Sequence, residues 1–555
     1  MKKIRIFSLV CLGLLIMGGN ILLSAPPLNP DFLSKKPAHF KPCRTMSREM
    51  LQSLQKKGII RKPGVQGVLQ PVTKKILVIP VQFNDTQYPQ LPSTYATDAA
   101  ALFSQVQSFY YENSYSLVTF TAVIASSVTL PNDVTYYNEG TDDDLTRLFT
   151  DATAQLPSPP GAGYSDYDYV AIYHAGPGGE ESNNTSDLWS LYFPTALSSG
   201  GTGAKTFDGF VCIPAAVTQA GYTQLGVICH EFGHQMGLPD LYDTSTTGGV
   251  STMGAWSLMD WPYGKDGSGN PPHFDIWSKN FLQFVDLNAR QFTSDTAGLF
   301  GDIETSQTTG YYKIPISVAS PSEYFVAEYR DPDSSHMMYD LTAPATGIII
   351  WHIDDSIALD PTRLENNDIN TGSPHRGVAL VSATGAFIKP GHANDAFVTG
   401  SSFLAPQSNT FNGKVSGLAL SDIVLSNGNA STSMKDISVE STQGINKITT
   451  FPNPAGKGYP HPRSAEGIIT TFVFQATRPP ENITLDIYTI AAERVASIGK
   501  DRFVLRFDKS SNNSWIYEFD WNGRNDANSS VAQGIYFYRI KADAVTQTGK
   551  LAVVR

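Results

Sequence analysis

The stretch that decides the fold and the chemistry is CHEFGHQMGLPD, residues 229–240. It contains the pattern H-E-x-x-H, in which His230 and His234 lie four residues apart. On a helix, two such residues lie one turn above each other, with about 5–6 Å between their Cβ atoms. Both imidazoles can therefore bind one zinc ion, at about 2.0–2.1 Å from each nitrogen. Glu231 would lie beside the open position of the metal, where it can take a proton from water.

The residues that follow the second histidine predict the third ligand. Gly237 can end the helix with a positive φ angle, and the turn then brings Asp240 back to the metal. Three protein ligands leave one position for water, whereas a closed structural zinc site has four. Two alternatives to Asp240 stay open: the distant Glu328, and the nearby Asp243, which could instead bind calcium or cap the turn.

A second informative stretch is MGAWSLMD, residues 253–260. A methionine at this distance beyond the zinc helix can lie under the metal as a hydrophobic base, and Met259 is the candidate. The alternative role for Met259 is ordinary core packing. Tyr263 could donate a hydrogen bond to the developing oxyanion, but a surface tyrosine is the favoured expectation.

Composition limits the classes of function. The 555 residues include 40 Lys and Arg against 51 Asp and Glu, which gives a net charge of −11. The length suggests three or four domains, or fewer large ones, and the apolar fraction of 41% is enough for a sizeable core. An acidic chain without a basic run gains little from neutralising phosphates, so we expect no nucleic-acid partner.

The N-terminus has the pattern of an export signal. Three basic residues, Lys2, Lys3 and Arg5, precede the apolar run Ile6 to Met17, and small residues suited to cleavage follow. This order is typical of a secretory signal peptide over residues 1–25, the alternative being an uncleaved membrane anchor. No later segment approaches the roughly 20 apolar residues of a membrane span. We therefore expect a secreted or cell-surface protein with no transmembrane span in the mature chain.

Residues 26–72 are rich in Pro and Lys and are interpreted as a pro-segment. A thiolate is a good zinc ligand, so Cys43 could occupy the open zinc position until the segment is cut away. The alternative is that Cys43 is an incidental thiol. Cys212 and Cys229 could pair as a disulfide or be buried free thiols, and their spacing does not decide between these.

Between residues 73 and 440 the sequence predicts an α+β domain. Buried-strand patterns and helical patterns alternate along it. The predicted strands are 76–81, 117–128, 169–173, 311–316, 324–329, 347–353 and 378–382, and the predicted helices are 97–112, 145–154 and 218–236. Gly221 and Gly226 weaken the first half of the last helix, so it could start later. The polar stretch SNGNASTS, residues 426–433, is interpreted as a loop or linker.

From residue 446 onward the pattern is all-β. The predicted strands are 468–474, 483–490, 515–519 and 534–540, with turn signals such as Asn522-Gly523 between them. Several short strands separated by turns are typical of a β-sandwich. We therefore predict a small, separate β-sandwich domain over residues 446–555.

The zinc-helix region resembles a known family. The string HEFGHQMGLPDLYD, residues 230–243, followed by GAWSLMD, residues 254–260, resembles the immune inhibitor A-type secreted metallopeptidases. Segments 75–83, 173–176 and 351–355 together with 375–380 resemble other parts of the same domain. The resemblance implies a zincin fold, with a mixed sheet over an active-site helix, and an endopeptidase made as a secreted zymogen.

The same resemblance implies the roles of the residues that match. His230, His234 and Asp240 would bind zinc, and Glu231 would be the general base. Calcium is common in secreted relatives, and Asp354, Asp355 and Asn366 are oxygen-rich loop candidates for it. These three residues could equally cap turns.

The C-terminal part resembles something different, the sandwich domain shared by flagellar hook-cap proteins and type IX secretion sorting tails. The matching pieces are FPNP at 451–454, the strand 483–490, WNGR at 521–524 and GIYFYR at 534–539. This resemblance implies contact with secretion or cell-surface machinery. The alternative is an accessory β-sandwich that only aids stability or contacts carbohydrate.

The sequence as a whole predicts a secreted zinc metalloendopeptidase acting on protein or peptide substrates. Two other classes remain open. One is a non-catalytic surface or adhesion protein that retains the fold. The other is a zinc hydrolase of a non-protein substrate such as a glycan or peptidoglycan.

Overall fold

The structure is a computed structural model of the whole chain. The signal-peptide region, most of the pro-segment, Cys43 and part of the predicted helix 218–236 lie outside the residues that it describes. The described residues are 67–88, 92–138, 142–182, 184, 186–217, 222–245, 249–292, 296–316, 321–332, 338–372, 375–384, 391–405, 407–414, 416–436, 445–451, 453–456, 470–476, 480–509, 514–542 and 545–555.

The described part up to residue 436 mixes helices and strands. Its α-helices are α1 (Pro92–Asn113), α2 (Asp142–Gln155), α3 (Gly179–Ser182), α4 (Leu225–Gln235), α5 (Ile276–Phe281), α6 (Asp355–Ala358) and α7 (Pro361–Asn366). Its strands are β1 (Val72–Gln82), β2 (Val118–Ile124), β3 (Val128–Thr129), β4 (Tyr169–Pro177), β5 (Leu191–Phe193), β6 (Leu197–Ser198), β7 (Thr206–Phe207), β8 (Phe210–Ala216), β9 (Thr296–Gly301), β10 (Tyr311–Pro315), β11 (Glu323–Arg330), β12 (Gly347–Asp354), β13 (Val378–Val381), β14 (Leu418–Ser426) and β15 (Asn429–Asp436).

The first sheet has the strand order β2-β1-β4-β8-β5, with β3 also beside β1. Its strands run parallel except β5, which is antiparallel to β8 at the edge. Alternate side chains of β1 enter two cores, since Ile76 and Val78 face one and Leu77 and Ile79 face the other. A strand buried on both faces needs a continuous apolar run, and this run made β1 recognisable in the sequence.

Helix α4, which carries the H-E-x-x-H pattern, packs on one face of this sheet. Its residues Ile228 and Phe232 share a core with Ile76 and Val78. The antiparallel sheet β10-β11-β12-β13 contributes Trp351 to the same core. The candidate site therefore lies on a helix that is packed into the apolar core beside the first sheet.

A third sheet, with the order β14-β15-β9, corrects one expectation. The polar stretch 426–433 is not a loop or linker, because most of it belongs to the antiparallel hairpin of β14 and β15. Asn427 and Gly428 form the turn with positive φ angles of 44° and 73°. An Asn-Gly pair is a strong hairpin signal, and it outweighs the small polar residues around it.

The part from residue 445 onward is all-β, as predicted. Its strands are β16 (Ile445–Phe451), β17 (Ala455–Gly456), β18 (Thr470–Ala476), β19 (Ile483–Thr489), β20 (Arg494–Gly499), β21 (Val504–Lys509), β22 (Ser514–Trp521), β23 (Gly534–Ala542) and β24 (Val545–Val554). They form the sheets β16-β18-β22-β21 and β17-β24-β23-β19-β20. The two sheets share one apolar core, to which Phe472 and Phe519 contribute from one side and Leu485 and Ile540 from the other.

Across the described residues, none of the helices combines the length and the hydropathy needed to cross a bilayer.

Candidate metal centre

Helix α4 is buried along its whole length. It begins at Leu225, later than the start of the predicted pattern at 218, and residues 218–221 lie outside the description. The Gly226 N–H donates to the carbonyl of Gly269 at 2.8 Å, and a Cβ atom at Gly226 would collide with the Pro262 carbonyl. The glycine that weakens this helix therefore allows a loop to pack against its first turn.

The two histidines of α4 point their Nε2 atoms at each other, 3.0 Å apart. Their Nδ1 atoms lie against backbone carbonyls, His230 at 3.0 Å from Leu258 O and His234 at 2.8 Å from Leu238 O. A carbonyl oxygen can only accept, so each Nδ1 carries the proton and each Nε2 keeps a free lone pair. That tautomer is the one that binds a metal through Nε2.

Asp240 completes the group. Gly237, with a φ angle of 111°, turns the chain after α4. Asp240 Oδ1 then lies 3.1 Å from His230 Nε2 and 3.2 Å from His234 Nε2. Three atoms at these separations fit one zinc ion, because tetrahedral ligands at about 2.0–2.1 Å lie about 3.3 Å apart. Within the described ranges, this is the only group of three or more His, Cys, Asp or Glu side chains close enough to share an ion.

The two alternative third ligands have other contacts. Asp243 accepts a hydrogen bond from the backbone N–H of Ser245 at 2.9 Å, as a turn-capping residue does. Glu328 is buried in β11, where its Oε1 accepts from Arg330 Nε at 3.1 Å and from Trp351 Nε1 at 2.9 Å. The geometry thus brings Asp240 to the histidines and gives Asp243 and Glu328 different partners.

Glu231 is fully buried beside this group. Neither of its carboxylate oxygens has a hydrogen-bond partner among the described residues, although the backbone amide of Tyr192 in β5 favours its charged form. Burial raises the pKa of Glu231 well above its usual range, and the nearby Asp240 carboxylate adds to this rise. A buried polar group without a partner is costly and marks a position where a ligand or water is expected.

Burial and neighbouring charges also act on the candidate ligands. Burial lowers the pKa of His230, which favours the neutral imidazole that a metal needs. Burial alone would raise the pKa of Asp240, but its contacts with His234 and His230 hold it well below its usual value, so that it stays a carboxylate. The group therefore offers two imidazole nitrogens and one carboxylate oxygen, a donor set that suits zinc.

Asp260, for which the sequence predicts no role, organises the loop that follows helix α4. Asp260 Oδ2 accepts from the backbone N–H groups of Thr252 at 2.7 Å, Met253, and Gly254 at 3.0 Å. Burial raises the pKa of Asp260 to about 7. This folded loop carries the Leu258 carbonyl that faces His230.

The same loop carries both of the other candidate residues. Met259 is fully buried against α4, and a Cβ atom at Gly233 would lie 2.8 Å from its sulfur. Since Gly233 precedes His234, Met259 packs beside the turn of the helix that holds both histidines. Tyr263 is 2% exposed, so the favoured expectation of a surface tyrosine is wrong. Its ring packs against Trp261 with centroids 5.1 Å apart.

One residue at the site was missed entirely. Asn367 is the C-cap of α7, with a left-handed φ angle of 55°. Its amide contacts both the backbone and the carboxylate of Asp240. The only signal in the sequence is a run of Asn and Asp residues after a short helix, which predicts a turn but not its contact with Asp240.

Of the three calcium candidates, Asp354 makes a capping contact. Asp354 Oδ1 accepts from Ser356 N at 2.9 Å at the start of α6, and its Oδ2 lies 2.9 Å from His375 Nε2. Asp355 Oδ1 accepts from the Tyr324 hydroxyl at 3.0 Å. Asn366 is the last residue of α7. Calcium binding by this region stays a prediction.

Cys212 and Cys229 are both buried free thiols. Of the two possibilities left open by the sequence, the structure thus has free thiols rather than a disulfide. Burial raises the pKa of both thiols above the usual range, so neither is a ready nucleophile.

The part of the chain around helix α4 matches a known peptidase family. The family described as immune inhibitor A peptidase M6, catalytic domain, matches residues 163–286. That range contains α4, Asp240 and the loop of Met259, so the candidate metal centre lies within the part of the chain that matches a metallopeptidase catalytic domain. The predicted resemblance to the immune inhibitor A-type metallopeptidases is confirmed for it, while the C-terminal resemblance stays a prediction.

Two curated relatives agree with this class. The pre-pro-metalloprotease PrtV of Vibrio cholerae serotype O1 is 29% identical over 215 residues, covering 31% of this chain and 23% of the relative. Immune inhibitor A of Bacillus thuringiensis subsp. alesti is 33% identical over 127 residues, covering 21% of this chain and 18% of the relative. The chain thus spans less than a quarter of the length of these relatives.

Solved structures give only weak likenesses. Catalytically inactive OgpA from Akkermansia muciniphila, in complex with an O-glycopeptide, aligns with 89% of this chain and 96% of its own at 9% identity and a TM-score of 0.23. PorZ, a surface component of the type-IX secretion system of Porphyromonas gingivalis, aligns with 44% of this chain and 22% of its own at 13% identity and a TM-score of 0.14. Scores this low carry no argument about the present chain.

Proposed function

We propose that this chain is a secreted zinc-dependent endopeptidase in which His230, His234 and Asp240 bind zinc and Glu231 is the general base. One observation carries the proposal: the two Nε2 atoms and Asp240 Oδ1 lie 3.0–3.2 Å from one another. The match to a metallopeptidase family and the names of the curated relatives support the reaction class.

The chain's own residues divide the work of peptide hydrolysis. Zinc, when bound, polarises the scissile carbonyl and lowers the pKa of a water molecule toward about 7. Glu231 takes a proton from the attacking water on its carboxylate and passes it to the leaving amine. Within the described part of the chain, neither oxygen of Glu231 has a side-chain partner that would compete with this transfer. Met259 packs against helix α4 beside Gly233 and would serve as the hydrophobic base under the metal. Tyr263 is the candidate donor of a hydrogen bond to the oxyanion.

The proposed architecture is a zincin-like peptidase domain over residues 73–440, followed by a β-sandwich over residues 446–555. The parallel sheet against α4 supports the first part, and the shared core of the two C-terminal sheets supports the second. The proposed role of the second part is contact with secretion or cell-surface machinery.

Export and latency are part of the same proposal. The basic and apolar pattern of residues 1–25 supports a signal peptide, and residues 26–72 would then be the pro-segment. The name of PrtV describes a pre-pro-protein, which has the same order of segments. Cys43 within that segment is the candidate zinc latch, and calcium is a further expected ion.

The test is hydrolysis by the purified full-length chain after removal of its pro-segment. Casein and a mixed peptide library should be cleaved within the chain, and a zinc chelator should reduce cleavage to background. Adding zinc back should restore it, whereas calcium alone should not. Zinc-dependent release of fragments from peptidoglycan or glycan with no peptide cleavage would contradict the endopeptidase. An inactive protein that nevertheless binds zinc would favour the non-catalytic surface protein.

A further inference from the structure

The contact between Asn367 and Asp240 joins two segments that are far apart in the sequence. Asn367 is 1% exposed, and its Oδ1 accepts from the backbone N–H of Asp240 at 2.8 Å. Its Nδ2 donates to Asp240 Oδ2. One amide group therefore holds both the backbone and the side chain of Asp240.

This pair of hydrogen bonds determines which carboxylate oxygen faces the histidines. Asp240 Oδ1 lies 3.1 Å from His230 Nε2 and 3.2 Å from His234 Nε2. The other oxygen, Oδ2, is turned to the Asn367 amide. A carboxylate free to rotate could present either oxygen or both, and fixing one orientation before an ion arrives lowers the cost of binding it.

Asn367 is itself held against the loop that follows α4. Thr244 Oγ1 donates to the Asn367 carbonyl at 2.7 Å and lies 2.9 Å from Thr371 Oγ1. Asn370 Nδ2 donates to the Leu241 carbonyl at 2.8 Å. The loop after α7 is thus attached to the loop that follows α4 at several points, of which only Asn367 reaches the Asp240 carboxylate.

We propose that Asn367 is a positioning residue that orients Asp240 as the third zinc ligand. This inference rests on the proposed function, since it requires that Asp240 binds zinc. Partners in the outer shell of a metal site typically contribute 10–100-fold to metal affinity. Asn367 would act in this way by fixing the orientation and the charge distribution of the Asp240 carboxylate.

Two substitutions at Asn367 separate this role from packing. Asn367→Asp keeps the shape, tolerates the left-handed backbone and retains an acceptor for the Asp240 N–H. It replaces the donor to Oδ2 with an oxygen, which repels the carboxylate. Asn367→Gly removes the whole side chain and suits the φ angle of 55° without strain.

The matched control is Asn370→Asp, the same substitution on the same loop. Asn370 Oδ1 accepts from Val378 N at 2.9 Å, and that acceptor is kept. The substitution replaces the donor to the Leu241 carbonyl with a carboxylate oxygen, as Asn367→Asp does at Asp240, and the Leu241 carbonyl still accepts from Thr252 Oγ1 at 2.7 Å. The control therefore weakens the attachment between the two loops and leaves the amide that holds Asp240 unchanged.

The experiment measures zinc affinity of each full-length protein by competition with a chelating dye. Circular dichroism of the metal-free proteins checks that they are folded, and the visible spectrum of the cobalt-substituted proteins reports ligand geometry. Asn367→Asp and Asn367→Gly should each weaken zinc binding by about 10–100-fold and alter the cobalt spectrum. Asn370→Asp should keep the wild-type affinity and spectrum.

Two outcomes would overturn the inference while leaving the proposed function intact. One is wild-type zinc affinity in both Asn367 variants. The other is an equal loss of affinity in Asn370→Asp, which would assign the effect to the loop as a whole. If the wild-type protein itself bound no zinc, the proposed function would fail and this inference with it.

Discussion

The part of the chain from β1 to β15 and the part from β16 to β24 differ in what they bury. Among the described residues, 20 Asp, Glu, His, Lys or Arg side chains are buried in the first part, against two in the second, Asp486 and Glu518. The first part is longer than the second, but not by enough to explain the difference in the number of buried ionisable side chains. The second part instead builds its core from aromatic and aliphatic side chains of two facing sheets.

Burying a charged group is costly unless it is paired, so each group in the first part needs a reason. Some are paired: Arg330 bonds to Glu328 at 3.1 Å and to Asp340 at 3.3 Å. Glu231, in contrast, is buried next to the candidate metal ligands, and neither of its oxygens has a hydrogen-bond partner among the residues that the structure describes. The buried charges are therefore of two kinds. Those paired with an opposite charge, such as Arg330, stabilise the fold, whereas Glu231 has the position expected of a residue that acts on a ligand.

The largest effect is expected from removing a ligand. His234→Ala leaves His230 and Asp240, and two protein ligands bind zinc poorly. We expect loss of both zinc and hydrolysis, measured by metal analysis and by peptide cleavage. Asp240→Ala should act in the same direction but retain weak zinc binding, since both imidazoles remain. Stoichiometric zinc in purified His234→Ala would contradict the ligand assignment.

Glu231→Gln should lose activity but keep the metal. The amide has the shape of the carboxylate but cannot take up a proton, and general-base catalysis typically contributes about 10²–10⁴-fold to the rate. We expect kcat to fall by that factor with zinc content and melting temperature close to wild type. Activity equal to wild type would rule out Glu231 as the base, and loss of zinc would show that it also supports the metal.

The paired charges predict a different response, in stability rather than chemistry. Arg330→Met leaves Glu328 and Asp340 buried without their cation, which should lower the free energy of unfolding by about 3–5 kcal/mol. The matched control is Arg539→Met in the C-terminal part, where Arg539 pairs with Asp486 at 2.8 Å but is half exposed. Urea denaturation should show a large shift for the first variant and an unchanged curve for the second. Equal curves for both variants would show that the buried network adds no stability.

The sequence predicted most of the strands and the metal group because both depend on local patterns. The run Ile76 to Val81 predicted a strand buried on both faces, and the structure extends it to Val72–Gln82. His230, His234 and Asp240 fall within eleven residues, so one helix and one turn bring them together.

Features formed by distant segments could not be predicted in this way. Asn367 reaches Asp240 from 127 residues away, and no periodicity links the two. The ring of Tyr263 packs against Trp261 and Tyr222, and the contact with Tyr222 comes from a segment 41 residues away in the sequence. At the hairpin of β14 and β15, the small polar residues were given more weight than the turn signal, Asn427-Gly428.

The smallest effect on catalysis is expected from removing the C-terminal part. A chain ending at residue 440 keeps every described candidate residue of the metal centre and all the strands of the first three sheets. Among the described residues, Ala405 packs against Val473 and Ile516 in a minor apolar cluster that is separate from the main cores, and the truncated chain loses this contact. We therefore expect the truncated peptidase to fold and to cleave peptides with unchanged kcat, while the amount found at the cell surface changes. Its melting temperature, its cleavage rate and its distribution between cells and medium measure these expectations. An insoluble or inactive truncated chain would show that the two parts share a core, and the boundary between them would then be wrong.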